Sequence, residues 1–511
     1  MSYSPLVFHP GPATAHVQRN SASANSIPEV TEGRASLPFA VRSLPGGRLI
    51  GVSESGDHAF FSHDELELVR NDPAQLALRR RAELAARFFL PNHGANIGKE
   101  RLLLARQAAR RETVTAGPSL HIIVPTLQCG HTCQYCQVSR AQSDDGFSMS
   151  HADLDEACKR IWESSADVLT VEFQGGDPLL RFDLIVRAVT SLNGLNRNSS
   201  KRIRFVVAST LHQLTENMCA FFAAHEVYLS TSIDGPAALH NRNRPVQGRN
   251  SYERTLAGID MARRHIGAEL VSALMTTTRA SLDYPEQIVD EYVRLGFTDI
   301  FLRPLSIYGF AKRNLGRVGY SLEQFQSFYR RALDRILWWN GQNVPVREVY
   351  MSIVLNKVLS TFDAGYVDLQ SPTGAGSSVL VYNYDGWVYP SDEARMLAET
   401  GDVSLRMGAI AEPLAALLSS STRSALVSGG HAAAADCAGC TYRHYCAPNP
   451  VDSQAQFGRP DVRALETEHC QRHLWLFDLA FSLIAEADPA TEELLYAWAR
   501  PNSSQESTCV A

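Results

Sequence analysis

The chain has 511 residues, 48 basic and 54 acidic side chains for a formal charge of −6, and 45% hydrophobic residues. That length exceeds one ordinary core and calls for about three or four compact units, and the composition excludes a mostly disordered or collagen-like chain. The slight acidity leaves no global positive field for a phosphate backbone, so no nucleic-acid partner is expected.

Met1 to Ser26 is polar, without the apolar core of a secretory signal, and reads as a loose tail of a cytoplasmic protein. Phe39 to Phe61 alternates apolar and polar residues around Pro45-Gly46-Gly47 and Ser55-Gly56-Asp57, the pattern of a small antiparallel sheet. Ser62 with Glu65 is a capping-box signature that opens a helix over Asp64 to Arg70. The Ala-, Leu-, Arg- and Glu-rich run from Pro73 to Leu90 predicts a second helix, with Arg79, Arg80 and Arg81 as a solvated face.

From Leu120 to Ile307, β-branched runs alternate with helical patterns, the signature of βα units around a parallel sheet. Strands are expected at Leu120–Pro125, Leu169–Gln174, Ile203–Ser209, Val227–Ile233, Leu270–Thr276 and Ile300–Leu305. Helices are expected at Ala152–Ser164, Phe182–Leu192, Glu216–His225, Tyr252–His265 and Pro285–Leu295. This repeat fits an incomplete α/β barrel, a partial (β/α)6, whose chemistry belongs at the C-terminal strand ends, although a doubly wound sheet has a similar local pattern. Two helices follow, Leu322–Trp339 and Val346–Leu359, then a hairpin over Val379–Tyr382 and Trp387–Tyr389 turning at Asp385-Gly386. A Gly- and Ala-rich loop region with cysteines runs to about 473, overlapping a helix from Gln471 to Glu486, with a polar tail after Arg500. The richest apolar stretch, Leu474–Ala485, is too short for a membrane span and contains Asp478, so no membrane partner is expected.

In a reducing compartment, clustered cysteines are metal ligands or catalytic groups rather than disulfides. The first cluster is Cys129-Gly-His-Thr-Cys133-Gln-Tyr-Cys136, just after the first barrel strand. Its three thiolates can wrap one soft metal centre, and a four-iron cube held by three cysteines keeps one iron open. A structural zinc with His131 as fourth ligand is the alternative on spacing. The second strand ends in Phe173-Gln-Gly175-Gly176-Asp177-Pro178, where paired glycines admit a close backbone approach. The fourth runs into Ser232-Ile-Asp234-Gly235-Pro236, with His240 and Arg244 beyond, and Arg303-Pro304 closes the sixth. A second cluster, Cys437, Cys440, Cys446 and Cys470, has the make-up of a closed tetrathiolate site for zinc or an iron–sulfur cluster. Cys158, Cys219 and Cys509 read as packing or inert groups.

The CxxxCxφC loop resembles that of the radical S-adenosylmethionine (SAM) enzymes. The resemblance implies a [4Fe-4S] cluster on Cys129, Cys133 and Cys136 whose open iron chelates SAM, and reductive cleavage to a 5′-deoxyadenosyl radical. It implies Tyr135 beside the adenine, Gly175, Gly176 and Asp177 as the segment holding the methionine amino group, and Ser232, Asp234 and Arg244 facing the ribose and carboxylate. The second cluster resembles a C-terminal SPASM extension. It departs from that pattern at Gly386-Trp-Val-Tyr-Pro390-Ser391 and at Pro450, which implies one auxiliary cluster on Cys437, Cys440, Cys446 and Cys470 rather than two.

Strings such as Leu274-Met-Thr-Thr-Thr278, Phe301-Leu-Arg-Pro-Leu-Ser306, Tyr366-Val-Asp-Leu-Gln-Ser-Pro372 and Ser391-Asp-Glu-Ala-Arg-Met-Leu397 resemble the maturases of His-Xaa-Ser peptide systems. That branch implies a ribosomally made precursor peptide as substrate, a flavodoxin or ferredoxin as electron donor, and a second maturase of the same system as a further partner. A sulfatase-maturase-like activator and a non-catalytic zinc scaffold are the alternatives, and Asp392, Glu393 and Arg395 offer a base only if they are more than surface charge. The expected divisions are a tail to 36, an α+β unit over 37–92 for leader-peptide recognition, the barrel over 93–320, a helical bridge over 321–369, the auxiliary-cluster unit over 370–475 and a closing helix and tail.

Overall fold

The computed structural model of the chain describes residues 36–91, 97–360 and 365–500. The expected N-terminal tail and Cys509 lie outside the described residues. A three-stranded antiparallel sheet comes first, with β1 (Phe39–Ser43), β2 (Leu49–Ser53) and β3 (His58–Phe61) in that spatial order. The helix His63–Asn71 is capped by Ser62, whose hydroxyl accepts from the Glu65 amide at 3.1 Å. The single helix expected over Pro73–Leu90 is broken: a 3-10 turn at Pro73–Gln75 ends at extended Leu76, and Leu78–Ala86 follows. Proline opens the first piece but Leu76, buried in the core of the small sheet, pulls the chain out of helical conformation. Arg80 is not part of a solvated face, because it pairs with Glu65 at 2.5 Å and donates to the Phe60 carbonyl at 2.6 Å. A helix at Ile97–Thr115, absent from the sequence reading, leads into the barrel.

The barrel strands are β4 (Leu120–Thr126), β5 (Val168–Gly175), β6 (Arg202–Ala208), β7 (Tyr228–Ser232) and β8 (Val271–Thr276). All pair in parallel, as their βα connections require. The sixth expected strand is split into β9 (Asp299–Ile300) and β10 (Leu302–Arg303); β10 extends the main sheet beside β8, while β9 pairs with β11 (Arg347–Glu348). Glu348 at that junction accepts the Leu302 amide at 3.0 Å. On the other side the sheet continues through β12 (Val379–Tyr382), β13 (Trp387–Tyr389) and β14 (Gly408–Ala409), so the predicted hairpin is part of the barrel sheet.

Alternation along the strands sorts two cores. Ile123, Val171, Phe173 and Val207 face the outer helices with Leu154, Ile161 and Leu184. Ile122, Val124, Val379 and Val381 face inward to the helix Asp392–Ala398, through Ala394, Met396 and Leu397. Cys158 and Cys219 are buried packing residues, as expected. The predicted loop region before 473 in fact holds helices at Leu414–Leu418, Ser421–Ala433 and Pro450–Phe457; the first is only five residues long, and the second is carried by Ala, Ser and Gly without a long apolar stripe, so neither shows a helical period. The helix Pro489–Ala499 also escaped notice and packs on the bridge helix Val349–Leu359, where Asn356 donates to the Ala499 carbonyl at 2.8 Å.

The N-terminal sheet docks on the helix Glu468–Glu486. Arg42 reaches Asp478 with Nε at 2.6 Å and Nη2 at 2.7 Å, and the Tyr442 hydroxyl donates to the same carboxylate at 2.7 Å. Removing the acceptor strands three donors, a loss of about 2–3 kcal/mol. Asp478→Ala is therefore expected to raise amide hydrogen exchange across residues 39–61 while leaving the strands β4–β8 protected; uniform exchange would show that this ion pair does not hold the small sheet in place.

Candidate functional site

The cysteine loop leaves β4 where Pro125 interrupts the ladder, and the pairing with β5 shifts register between Ile123 and Thr126. The turned backbone then crosses the end of β5. A Cβ on Gly176 would lie 2.2 Å from both the Leu127 and Gln128 carbonyls, and one on Gly175 would lie 2.3 Å from the Thr126 carbonyl. The close approach predicted for the paired glycines is thus made by the cysteine loop itself, with the Gly176 amide donating to Thr126 at 2.9 Å. Gly175 also has φ of 128°, a conformation that favours glycine. Asp177 is turned toward β6, accepting from Ser209 at 2.7 Å and Thr210 at 2.5 Å, and its amide donates to Gln128 at 2.7 Å. Burial raises its pKa despite those donors.

The three cysteines stand on one short loop pinned from several sides. The Cys129 amide donates to Ala141 at 3.0 Å, Thr132 to Pro245 at 2.8 Å, and Phe310 to the Cys136 carbonyl at 2.9 Å. Burial, with Asp177 adding, pushes the Cys129 thiol up to about 12, and burial drives Cys133 higher still. Ionising several such thiols together calls for a cationic centre, which is what a metal cluster supplies. His131 does not face the sulfurs as an open donor, since its Nε2 meets the Ser251 hydroxyl at 2.9 Å. Burial, then His212, holds that imidazole down at about 2, so it is neutral.

The fourth strand's residues converge on the same loop. Asp234, fully buried, accepts from the Tyr135 hydroxyl at 2.8 Å and from Arg244 Nε at 3.1 Å, and the Arg244 guanidinium lies 5.4 Å from the centre of the Tyr135 ring. Burial works against the charge of Arg244, but Asp234, Tyr135 and Cys133 together outweigh it and raise its pKa. Ser232, the last residue of β7, is half-buried in register with Leu274 and outside this contact.

Inside the barrel lies a cleft lined by Leu120, Ile122, Arg303, Tyr366, Asp368 and Glu393 among others. Asp392 and Arg395 are not surface charge: they form an ion pair, with Arg395 fully buried and its Nη1 without a hydrogen-bond partner among the described residues. Burial, then Asp368 and Asp392, pushes Glu393 up to about 7, and burial raises Asp368. The lumen carboxyls Glu172 and Asp368 were not singled out from sequence; an acid alternating inward on a buried strand was the available signal for Glu172.

The second cysteine cluster gathers beside the docked N-terminal sheet. Burial pushes Cys437 up to about 12 and Cys470 to about 11, with Cys440 the next cause for each, and Cys446 feels all three of the others. Cys470 sits in the first turn of the helix Glu468–Glu486, where its amide donates to Thr467 and the helix end favours a thiolate. Among the described residues no three His, Cys, Asp or Glu side chains gather as tightly as one metal ion needs.

Burial pushes the Glu172 carboxyl from 4.5 up to about 7, against the pull of its Gln174 bond. The folded state then binds more protons than the unfolded one between those values, so its stability falls as pH rises through that window. Between about pH 5 and pH 8 the melting-temperature difference should move in favour of Glu172→Gln over the wild type; a pH-independent difference would contradict the raised pKa.

Residues 123–292 match the Radical SAM superfamily. An uncharacterized protein of Methanothermobacter thermautotrophicus is 28% identical over 176 residues, 34% of this chain and 63% of that one. The matches to it and to an uncharacterized Synechocystis protein span 63% and 55% of those proteins' lengths. The cysteine-type anaerobic sulfatase-maturating enzyme of Clostridium perfringens is 20% identical over 52% of this chain and 71% of its own. Native anSMEcpe with bound AdoMet and Cp18Cys peptide superposes with a TM-score of 0.58 at 17% identity, over 74% of this chain and 99% of that one. Streptococcus suis SuiB bound to precursor peptide SuiA does so at 0.51 and 13%, over 86% and 100%. The fold is that of these partial barrels, and no described helix is long and apolar enough to cross a membrane. With the cysteine loop, its glycine crossing and this match in place, residues 123–292 form a radical SAM domain, whose cofactors are a [4Fe-4S] cluster and SAM.

Proposed function

We propose that the protein is a radical SAM enzyme that modifies a ribosomally made precursor peptide of the His-Xaa-Ser type. The observation that carries the reading is the loop bearing Cys129, Cys133 and Cys136 at the C-terminal ends of the barrel strands, with His131 Nε2 bonded to Ser251. A mononuclear zinc scaffold fits less well, since the fourth donor it would take from this loop, His131, has its Nε2 bonded to Ser251 at 2.9 Å. When bound, the cluster and SAM supply a 5′-deoxyadenosyl radical for hydrogen abstraction.

The chain's own residues would act as follows. Cys129, Cys133 and Cys136 hold the cluster, and Arg395 offers its orphaned Nη1–H from inside the fold, where the Cys136 charge bears on it. Tyr135 and Asp234 order Arg244, which presents a guanidinium for the SAM carboxylate. Ser232 and the Gly175–Asp177 backbone complete that wall, with Asp177 acting through Ser209 and Thr210 rather than as a free carboxylate. The peptide side chain enters the lumen cleft, where Glu393 holds or takes a proton near neutral pH beside Asp368, whose pKa burial also raises. Cys437, Cys440, Cys446 and Cys470 hold one auxiliary cluster for electron transfer, fed by a flavodoxin or ferredoxin in the cytoplasm; a second maturase is a further partner. The divisions at 37–92, 93–320, 321–369 and 370–475 carry recognition, radical chemistry, bridging and the auxiliary site. The peptide partner is supported by the peptide-bound forms of anSMEcpe and SuiB.

Recognition of the leader falls to the edge of β1. The opposite edge is closed, as Arg80 and Arg87 cap the Phe60 and His58 carbonyls at 2.6 and 2.7 Å. In the β1–β2 register Phe39, Val41 and Ser43 point their backbone groups outward, where an extended peptide can add a strand.

Cys133→Ala should abolish both SAM cleavage and peptide product, while Cys446→Ala should keep SAM cleavage and lose product, read by deoxyadenosine release and peptide mass; product formation by the second variant would remove the auxiliary role. Val41→Pro should weaken binding of the candidate precursor about tenfold with SAM cleavage intact, and an unchanged affinity would move recognition away from this edge.

A further inference from the structure

Behind the cysteine loop, at the start of the helix Ser251–Ile266, lies a closed polar circuit that neither the cluster ligands nor the SAM-facing residues explain. Ser251 is fully buried and its hydroxyl stands 2.9 Å from His131 Nε2 and 3.1 Å from His240 Nε2. His240 Nδ1 faces the Asp234 amide at 3.4 Å. An amide can only donate, so Nδ1 accepts, and the neutral ring carries its proton on Nε2 and gives it to Ser251. The single Ser251 hydroxyl proton is then left for His131 Nε2. Asp234 returns to the loop through Tyr135 at 2.8 Å, closing the ring from Cys-loop residue to Cys-loop residue. His212, its ring centre 4.4 Å from that of His131, bonds the Ser251 carbonyl at 3.2 Å and Thr255 at 3.0 Å, and so holds the serine's own backbone.

We propose that Ser251 is a positioning residue that sets the cysteine loop against the SAM-binding turn after β7. This rests on the reading of that site given above. Each loop is tied to the other by one hydroxyl that accepts from one side and donates to the other, so the two cannot shift independently without leaving a buried imidazole nitrogen unpaired. The spacing between the cysteine loop and the Arg244 guanidinium is thereby held by a residue that is neither a cysteine of the loop nor a SAM-facing group. His131, which the sequence offers as a metal ligand, is a strut in this circuit.

Ser251→Ala in the reconstituted full-length protein separates this role from general stability. Iron and sulfide content should stay at the wild-type level, SAM affinity should fall about tenfold, and the change that SAM produces in the spectrum of the reduced cluster should be diminished. Amide exchange of residues 129–136 should rise. Ser251→Cys, with a weak donor in the same place, should fall between. A folded Ser251→Ala protein with normal SAM affinity and normal loop protection would overturn the positioning role. Loss of the iron itself would instead overturn it in favour of a direct role in assembling the cluster. Should that variant fail to fold, His131→Leu cuts the same link from the loop side and carries the same expectations. The reading of the site fails separately, in wild-type protein that neither takes up iron nor binds SAM.

Discussion

The contact on which the site depends is a crossing of backbones. Three successive carbonyls, Thr126, Leu127 and Gln128, lie over Gly175 and Gly176 at distances where any Cβ would be refused. That crossing is possible because Pro125 gives up a ladder hydrogen bond and the register between β4 and β5 shifts there. It delivers Cys129 one residue later to the C-terminal rim of the barrel, the end where parallel barrels place their chemistry. The glycines therefore serve the chain first, and a ligand meets the surface that they allow the loop to make.

Electrostatics divide the interior in two. Around the loop, buried charge is matched closely, with Arg244 answered by Asp234 and the neighbouring histidines kept neutral by burial. In the lumen below, four carboxyls, Glu172, Asp368, Asp392 and Glu393, stand with three cations, Arg303, Arg472 and Arg395, the last already committed to Asp392. Burial first, with neighbouring carboxylates adding for Glu172 and Glu393, raises Glu172, Asp368 and Glu393, and the two glutamates, pushed up to about 7, are suited to a reaction that must dispose of a proton.

The N-terminal sheet and the second cysteine cluster are also one assembly. Arg42 and Tyr442 share Asp478, the Tyr445 hydroxyl donates to the Gly56 carbonyl at 2.8 Å, and the Phe481 ring lies 5.1 Å from His58. The edge of β1 thus belongs to an element that rests directly against the cysteine-bearing end of the chain.

Much of this was legible in the residues themselves. Five barrel strands and their helices lie within a few residues of the expected bounds, because period-2 and period-3.6 burial is written locally. What could not be read was any feature set by partners far along the chain. The helices at Ser421–Ala433 and Pro489–Ala499 are held by packing rather than pattern, the hairpin at Val379 became a barrel strand by pairing with Leu120, and Asp392 and Arg395 became an interior pair only when helix Asp392–Ala398 closed the lumen. His131 shows the same limit: its position among the cysteines offered it as a ligand, whereas Ser251, 120 residues away, determines which way its ring faces. Local sequence determines which donors a loop carries; only tertiary contacts decide which of them are already spent, since a buried hydrogen bond can be satisfied from anywhere in the chain.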